Sequence, residues 1–408
     1  MGSFFIFSPA IRLLCRTNCC SYTWVSTDTV RSCPLREGKR WMVLREPRRG
    51  GRGMRFELPE ELEMLRSVVS DFAQSEVAPG AIERDAAERF DRSLFNQMAE
   101  LGLTGVPIPE TYGGADVGWL AYVIVLEELS KVCASTASVL SAHTAGAVWP
   151  LYRYGDEAVR TELLASLTSG NKLAGAGLSN SRTASLLGTH PLVLNAGIAD
   201  GYLCITNHTS NEQREPIAVW LKNDAIEPSL SAAISKLGLG AFPTGELTLA
   251  IPISSSAAKV IAQGRRVRSL LRETRTLFAL SSAAQSVGIA QGALDAAASY
   301  AKSRKQFGTM IGKQQGIMFK LSDMSIAVEA SRLLVRQAAW LLDEGAKDAA
   351  TQVQLARTYA ARSATMAARE AVQIHGGCGY MEEYQVERML RDAMTLETAV
   401  GIGGLVER

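Results

Sequence analysis

The sequence predicts a mainly α-helical protein with a small β domain set in its middle. Three observations predict it. Apolar residues fall into helical spacing directly after Met54. Short β-prone runs then crowd into residues 172–258, and long Ala-rich segments with short connections follow. The chain therefore divides into a leader (1–53), an N-terminal helical domain (54–171), a β middle domain (172–258) and a C-terminal helical bundle (259–408).

The elements follow in order. From Leu58 to Val77, Leu62, Leu65, Val68, Val69 and Phe72 keep the helical period, with Pro59 near the first turn. A second helix runs from about Asp91 to Leu101 and stops at Gly102. The stretch Val106–Gly114 carries Pro107, Pro109, Gly113 and Gly114 and reads as a loop. Helices over Trp119–Val132 and Ser138–Tyr154 complete the first part. After Gly170 the runs Pro191–Leu194, Tyr202–Thr206, Ile217–Leu221 and Glu246–Ile253 read as strands. From about Arg266 the chain is helical over 272–303, 314–344 and 347–374, with Gly345 as the break between the last two. That pattern suits an antiparallel bundle.

Composition bounds the function. At 47% hydrophobic and 21% charged residues the chain has the balance of a globular protein rather than a disordered one. The net charge of +2 is uneven. Residues 1–53 hold ten Lys/Arg against Asp28, Glu37 and Glu46, a charge of +7 that leaves −5 for the rest. A mildly acidic body argues against nucleic acid as a partner. No uninterrupted apolar run reaches the roughly 18 to 20 residues that span a bilayer. Four of the seven cysteines (Cys15, Cys19, Cys20, Cys33) lie in the leader, no CxxC pair occurs, and the four histidines have no metal-ligand spacing, so neither disulfides nor a metal is expected. The Arg-rich, acid-poor leader has two readings, an organelle transit peptide or an upstream extension before a start at Met54. The second implies a cytoplasmic protein and the first a mitochondrial matrix one.

Three blocks carry a resemblance. The first is Gly102-Leu103-Thr104-Gly105-Val106-Pro107-Ile108-Pro109-Glu110-Thr111-Tyr112-Gly113-Gly114-Ala115, followed by Leu126-Glu127-Glu128-Leu129. The second is Arg304-Lys305-Gln306-Phe307-Gly308 with Gln315, Phe319-Lys320-Leu321 and Asp323-Met324. The third is Gln373-Ile374-His375-Gly376-Gly377-Cys378-Gly379-Tyr380, then Glu387-Arg388 and Arg391-Asp392-Ala393. In order and spacing over 56–395 the chain resembles the acyl-CoA dehydrogenases, a family of flavoproteins. The resemblance implies a β-barrel-like middle domain, FAD as cofactor, an acyl-CoA substrate, an electron-transfer flavoprotein as acceptor and an oligomer. It assigns cofactor contacts across a subunit interface to Arg304, Phe307, Gln315, Gln373, Gly376 and Gly377. On their own chemistry, the Arg304 guanidinium suits a pyrophosphate and Gly376-Gly377 admits close backbone approach, although the same glycines also read as a helix end and turn.

In the middle domain the resemblance thins. Where the family has F-A-L-T-E-P-x-A-G-S-D, this chain has Ala176-Gly177-Leu178-Ser179-Asn180-Ser181-Arg182-Thr183-Ala184-Ser185-Leu186. Ser179 and Ser185 remain as candidate hydrogen-bonding partners of the flavin edge, as does Thr206, while Cys204 stands where the family has an aromatic residue. The family reaction needs a carboxylate in a dry site to take an α-proton, and hydrogen bonds to the thioester oxygen. Val400 occupies the usual position of that Glu, and Phe278 and Ala279 occupy the position used by a minority of members. Glu397 and Glu273 are the nearest carboxylates, each expected to be solvated. His143, His190 and His208 read as structural, and His375 occupies a variable position.

Three functions follow: α,β-desaturation of an acyl-CoA with FAD, a non-catalytic subunit that pairs with a complete homologue, or a same-fold flavin oxidase or monooxygenase. Residues 1–53 show no periodic apolar face, so their deletion is expected to shift the melting temperature by less than about 4 °C. A larger drop in a thermal scan would place them in the fold.

Overall fold

The computed structural model describes residues 57–177, 187–210, 213–223, 234–250 and 258–398. Helix α1 (Glu60–Phe72) continues through a π-helical turn to Val77. Short helices α2 (Ala81–Ala86) and α3 (Arg92–Glu100) follow, the latter capped by Asp91, whose side chain accepts from Ser93 N at 2.8 Å. Helix α4 (Gly118–Ser130) is buried over nearly its whole length. Helices α5 (Ala134–His143) and α6 (Trp149–Tyr154) run on through a second π-helical turn, and α7 (Glu157–Thr168) is capped by Asp156.

The middle of the chain forms a six-stranded sheet in the order β5-β2-β1-β3-β4-β6. Its strands are β1 (Ala174–Gly177), β2 (Leu187–Leu194), β3 (Gly201–Ser210), β4 (Gln213–Lys222), β5 (Thr244–Ala250) and β6 (Ala258–Gln263). Among the described residues only β1 and β3 pair in parallel; the other pairings of this sheet are antiparallel. Two strands, β1 and β6, are not among the runs expected from the sequence. Ala-Gly-Ala-Gly in β1 has no β propensity, and its conformation comes from pairing with β3.

The last part is helical. Helix α8 (Arg265–Ser303) leads into a two-strand hairpin, β7 (Lys305–Gln306) and β8 (Thr309–Met310). Then come α9 (Gln315–Asp343), α10 (Ala349–His375) and α11 (Val386–Thr398). Helix α8 packs against α4, α9, α10 and α11. It passes α4 so closely that a Cβ on Gly288 would lie 2.3 Å from Glu127 O, and one on Gly292 2.3 Å from Lys131 O. An 18-residue window of α8 has a mean hydropathy of 1.2, enough by length and composition to cross a membrane. However, 89% of that window is buried inside the fold, which accounts for its apolar character.

Buried charge fixes the helices to one another. Arg332 on α9 pairs with Glu127 on α4 at 2.7 Å and donates to Gln291 on α8 at 2.6 Å. Asp343, the last residue of α9, accepts from Trp119 N at 2.7 Å and Leu120 N at 3.0 Å, capping α4 from another part of the chain. A third knot joins the sheet region. Asp392 on α11 accepts from Leu239 N at 2.5 Å, and Arg391 pairs with Asp85 on α2 at 2.8 Å. Asp85 in turn accepts from Gly240 N at 3.1 Å.

Burial pushes the Asp392 carboxyl up to about 6, against the opposing pull of Arg388 and the Leu239 N–H. A raised folded-state value means that this group's stabilising contribution is complete below its unfolded value and is lost as pH rises through about 6. Asp392→Asn keeps an oxygen for Leu239 N–H but cannot ionise. Its effect on unfolding free energy should therefore be more favourable at pH ~7.5 than at pH ~4.5 by about 2–3 kcal/mol. Urea titrations of both proteins at the two pH values check this, and equal differences would refute it.

Candidate active site

Strand β3 alternates its side chains across the sheet. Tyr202, Cys204 and Thr206 therefore share one face, with Cys204 in register with Gly177 of β1 and Thr206 in register with Ile217 of β4. Thr206 is 2% exposed, and its Oγ1 has no hydrogen-bond partner. Leaving a buried hydroxyl unmet costs about 1–3 kcal/mol, a condition Thr206 shares with the buried hydroxyls of Thr136, Thr144, Thr244 and Ser282. The Cys204 thiol is fully buried on the same face, and burial pushes it up to about 12, so it stays neutral. If a flavin edge meets this buried face of β3, Thr206 would be its hydrogen-bonding partner. Ser179 and Ser185 lie outside the described residues, as do the side chains of His190 and His208.

The Phe278 and Ala279 positions are buried at 3% and 4% exposure. The Phe278 ring stands against Gly146 and β1, since a Cβ on Gly146 would lie 3.0 Å from Phe278 Cζ and 3.1 Å from Ala176 Cβ. Neither Phe278 nor Ala279 can accept a proton. Glu273 is not the solvated carboxylate that its sequence context suggested. One oxygen accepts from Trp149 Nε1 at 2.8 Å and the other from Tyr154 Oη at 2.6 Å. Burial, and then the adjoining carboxylate, raises the Tyr154 phenol well above its ordinary range. Neither donor was legible, because Trp149 and Tyr154 lie more than a hundred residues away along the chain. Glu397 is half-buried in the last turn of α11, while Val400 lies outside the described residues.

The segments assigned to contacts across an interface occupy the exposed ends of α8 and α10. Arg304 is exposed at the end of α8 and has no carboxylate partner among the described residues. Phe307 is 95% exposed at the hairpin tip, where it and Gly308 take φ values of 53° and 79°. Gln315, Gln373, Gly376 and Gly377 are exposed, and Tyr380 is 84% exposed. The Cys378 thiol is drawn down by the Tyr300 and Tyr384 hydroxyls and, more weakly, by Arg304, which brings the glycine segment beside the hairpin. His375 stacks on Tyr300 at 4.2 Å, and its Nδ1 lies 2.8 Å from Ala371 O.

His143 is fully buried against the Phe95 ring, and its Nδ1 accepts from Ala174 N at 3.0 Å. Burial pushes its pKa down to about 3, so it is a neutral structural group that ties α5 to β1. No cluster of metal-ligating side chains occurs among the described residues.

Comparison with known proteins gives consistent matches. The N-terminal domain profile of the acyl-CoA dehydrogenases matches residues 59–171 and the C-terminal domain profile matches residues 267–403, on either side of the sheet. The probable acyl-CoA dehydrogenase YngJ of Bacillus subtilis is 37% identical over 367 residues, covering 85% of this chain and 96% of its own. The short-chain specific acyl-CoA dehydrogenase of Clostridium acetobutylicum is 33% identical over 369 residues, covering 85% and 96%. In three dimensions, butyryl-CoA dehydrogenase from Megasphaera elsdenii matches with a TM-score of 0.78 at 30% identity, covering 87% of this chain and all of the other.

Removing the Glu273 carboxylate would strand two donors. Glu273→Ala is expected to lower unfolding free energy by about 1–3 kcal/mol, and Glu273→Gln, which keeps one acceptor oxygen, by less. An unchanged urea midpoint in Glu273→Ala would mean that the carboxylate is solvated after all.

Proposed function

The chain belongs to the acyl-CoA dehydrogenase family, whose members are FAD flavoproteins that oxidise CH–CH groups, and on that premise we propose that it desaturates an acyl-CoA thioester between its α and β carbons. The family match carries the reading, and the unmet Thr206 hydroxyl supports it, at a position to which the resemblance assigns a contact with the flavin edge. FAD, when bound, would accept the hydrogen and electrons released from the substrate. Thr206 would orient the ring, and the apolar residues around Phe278 would keep water out. Arg304 and Gly376-Gly377 would hold the dinucleotide end presented by a second subunit. Exposed Phe319, Ile326 and Leu333 repeat every seven residues along α9, an apolar seam suited to such a subunit. The relatives named for short-chain substrates favour a short acyl group, and by the family resemblance an electron-transfer flavoprotein is the acceptor we assign.

One observation favours a second reading. Phe278 and Ala279 give the chain an apolar wall at one base position, and Val400 stands at the other. General-base assistance is worth about 10²–10⁴ in rate. A non-catalytic subunit needs none, and would lend Arg304 and the glycine segment to a complete homologue.

The test is an assay of the purified chain with butyryl-CoA and an artificial electron acceptor, alone and mixed with a complete homologue. The expected result is slow turnover by the chain alone, raised at least about tenfold in Val400→Glu, with Arg304→Ala losing flavin on gel filtration yet staying folded. Normal wild-type turnover abolished by Glu397→Gln would identify Glu397 as the base. Silence in both wild type and Val400→Glu, relieved only by mixing, would replace desaturation with the partner role.

A further inference from the structure

Tryptophan and tyrosine rings form a continuous run through the first helical part. Trp119 and Tyr122 lie three residues apart on α4, and Trp149 and Tyr152 three apart on α6. That spacing puts the members of each pair side by side on their helix. The two pairs meet at Trp119 and Trp149, whose ring centroids are 4.8 Å apart. Tyr122 lies 5.3 Å from Trp119, Tyr152 lies 5.4 Å from Trp149, and Tyr112 lies 5.7 Å from Tyr152. Tyr154 joins the run through Glu273, which accepts from Trp149 Nε1 with one oxygen and from the Tyr154 hydroxyl with the other.

The run starts in the core and ends near solvent. Tyr122 is fully buried and Trp119 is 5% exposed, whereas Trp149, Tyr152, Tyr112 and Tyr154 are half-buried. Packing alone does not ask for these side chains. Phenylalanine is the commonest aromatic residue of the chain, at 11 against 10 tyrosines and 6 tryptophans, yet it has no place in this run. A phenyl ring would fill the space without a polar atom to satisfy. Tyrosine and tryptophan add one chemical ability. Each can give up an electron, together with its O–H or N–H proton, under conditions where phenylalanine is inert.

The hydrogen bonds decide where such a radical settles. An oxidised phenol is strongly acidic, so a tyrosine is oxidised more readily where a base stands ready for its proton. At the buried end, the Tyr122 hydroxyl lies 3.2 Å from the neutral hydroxyl of Ser281. Toward solvent, carboxylates take that place. Tyr154 donates to Glu273 at 2.6 Å, and the Tyr112 hydroxyl lies 3.2 Å from both oxygens of Glu157. Glu157 also pairs with Arg160, whose guanidinium lies 5.8 Å from the centre of the Tyr152 ring. That cation opposes a positive charge on Tyr152, so the branch to Tyr154 is the favoured exit.

We infer that these rings form a radical relay, which carries an oxidising equivalent from buried Trp119 through Trp149 to Tyr154, with Glu273 as the proton acceptor. The oxidant is of the oxygen-radical class and takes one electron from Trp119. Trp149 refills Trp119, and Tyr154 refills Trp149. As Tyr154 loses its electron, its proton crosses the hydrogen bond to Glu273, leaving a neutral phenoxyl beside a neutral carboxylic acid. A thiolate from solution then returns the electron, becoming a thiyl radical, and Glu273 returns the proton. The protein ends unchanged, and the core around Tyr122 and Ser281, three residues from Phe278 on α8, escapes lasting oxidation. The relay stands apart from the desaturation proposed above.

Pulse radiolysis of the full chain tests it. Azide radicals oxidise tryptophan in preference to tyrosine near neutral pH, and transient absorption follows tryptophanyl decay and phenoxyl growth. The expected result is a phase of phenoxyl growth, independent of protein concentration, that is lost in Tyr154→Phe and in Trp149→Phe. Glu273→Gln should slow that phase at least about tenfold, because the proton acceptor is gone. Both phenylalanine variants keep a ring in place, so they decide the matter even if Glu273→Gln fails to fold. Under a flux of carbonate radicals, peptide mass mapping should find Trp119 intact in the wild type and oxidised in Trp149→Phe, where the equivalent is stranded.

Phenoxyl growth unchanged in the two phenylalanine variants overturns the inference and leaves the rings as packing. A phase lost in those variants yet unchanged in folded Glu273→Gln overturns the role given to the carboxylate. Trp119 equally modified in wild type and Trp149→Phe, or intact in both, overturns the buried start of the relay.

Discussion

The bond from Leu239 N to the buried Asp392 carboxyl, with the Arg391–Asp85 pair beside it, holds together the three parts on which the site depends. Asp85 belongs to the first helical part, Leu239 and Gly240 to the segment before β5, and Asp392 to the last helix. A carboxyl buried to 3% exposure is costly unless it is satisfied. Its stabilising value therefore depends on all three parts arriving together. Leaving a buried group without its hydrogen-bond partner costs about 1–3 kcal/mol, so the Arg-Asp-Ala block of the third sequence motif is architectural. It orients α11, and with it Glu397, relative to the sheet.

The helices were legible because burial on one face writes a period into the sequence. Trp119–Val132 and the long Ala-rich segments became α4 and α8 to α10 with ends shifted by a few residues. Helix α7 was missed although its signals are present: Asp156 caps it, and Val159, Leu163, Leu164 and Leu167 line its buried face. Strand β1 carried no such signal, because Ala-Gly-Ala-Gly becomes a strand only when β3 lies beside it. The site divides the same way. Thr206 could be found by motif, but its lack of a partner is a property of the folded surroundings. Glu273 was expected to be solvated because its donors come from α6, which the sequence does not place beside α8.

The pattern of retained and altered residues has a physical logic. Residues that the family resemblance assigns to a subunit interface, such as Arg304, Phe307 and the glycine segment, are exposed and little used by this chain's own packing. Their identities therefore reflect something outside the chain. By contrast, the positions where a minority of the family carries its base are filled here by residues that pack, with Phe278 against Gly146 as the clearest case. Folding does not require a proton acceptor there, and a phenyl ring satisfies the core better than a carboxylate would.

The crossing at Gly288 and Gly292 bears on how a ligand can enter. With backbone carbonyls of α4 against the α carbons of α8, the two helices are in main-chain contact, and neither can slide without a clash. The Arg332–Glu127 pair locks a third helix onto them. These helices form the rigid jaw of the molecule. Any opening that admits a substrate to the Phe278 wall therefore has to leave the α4–α8 crossing in place.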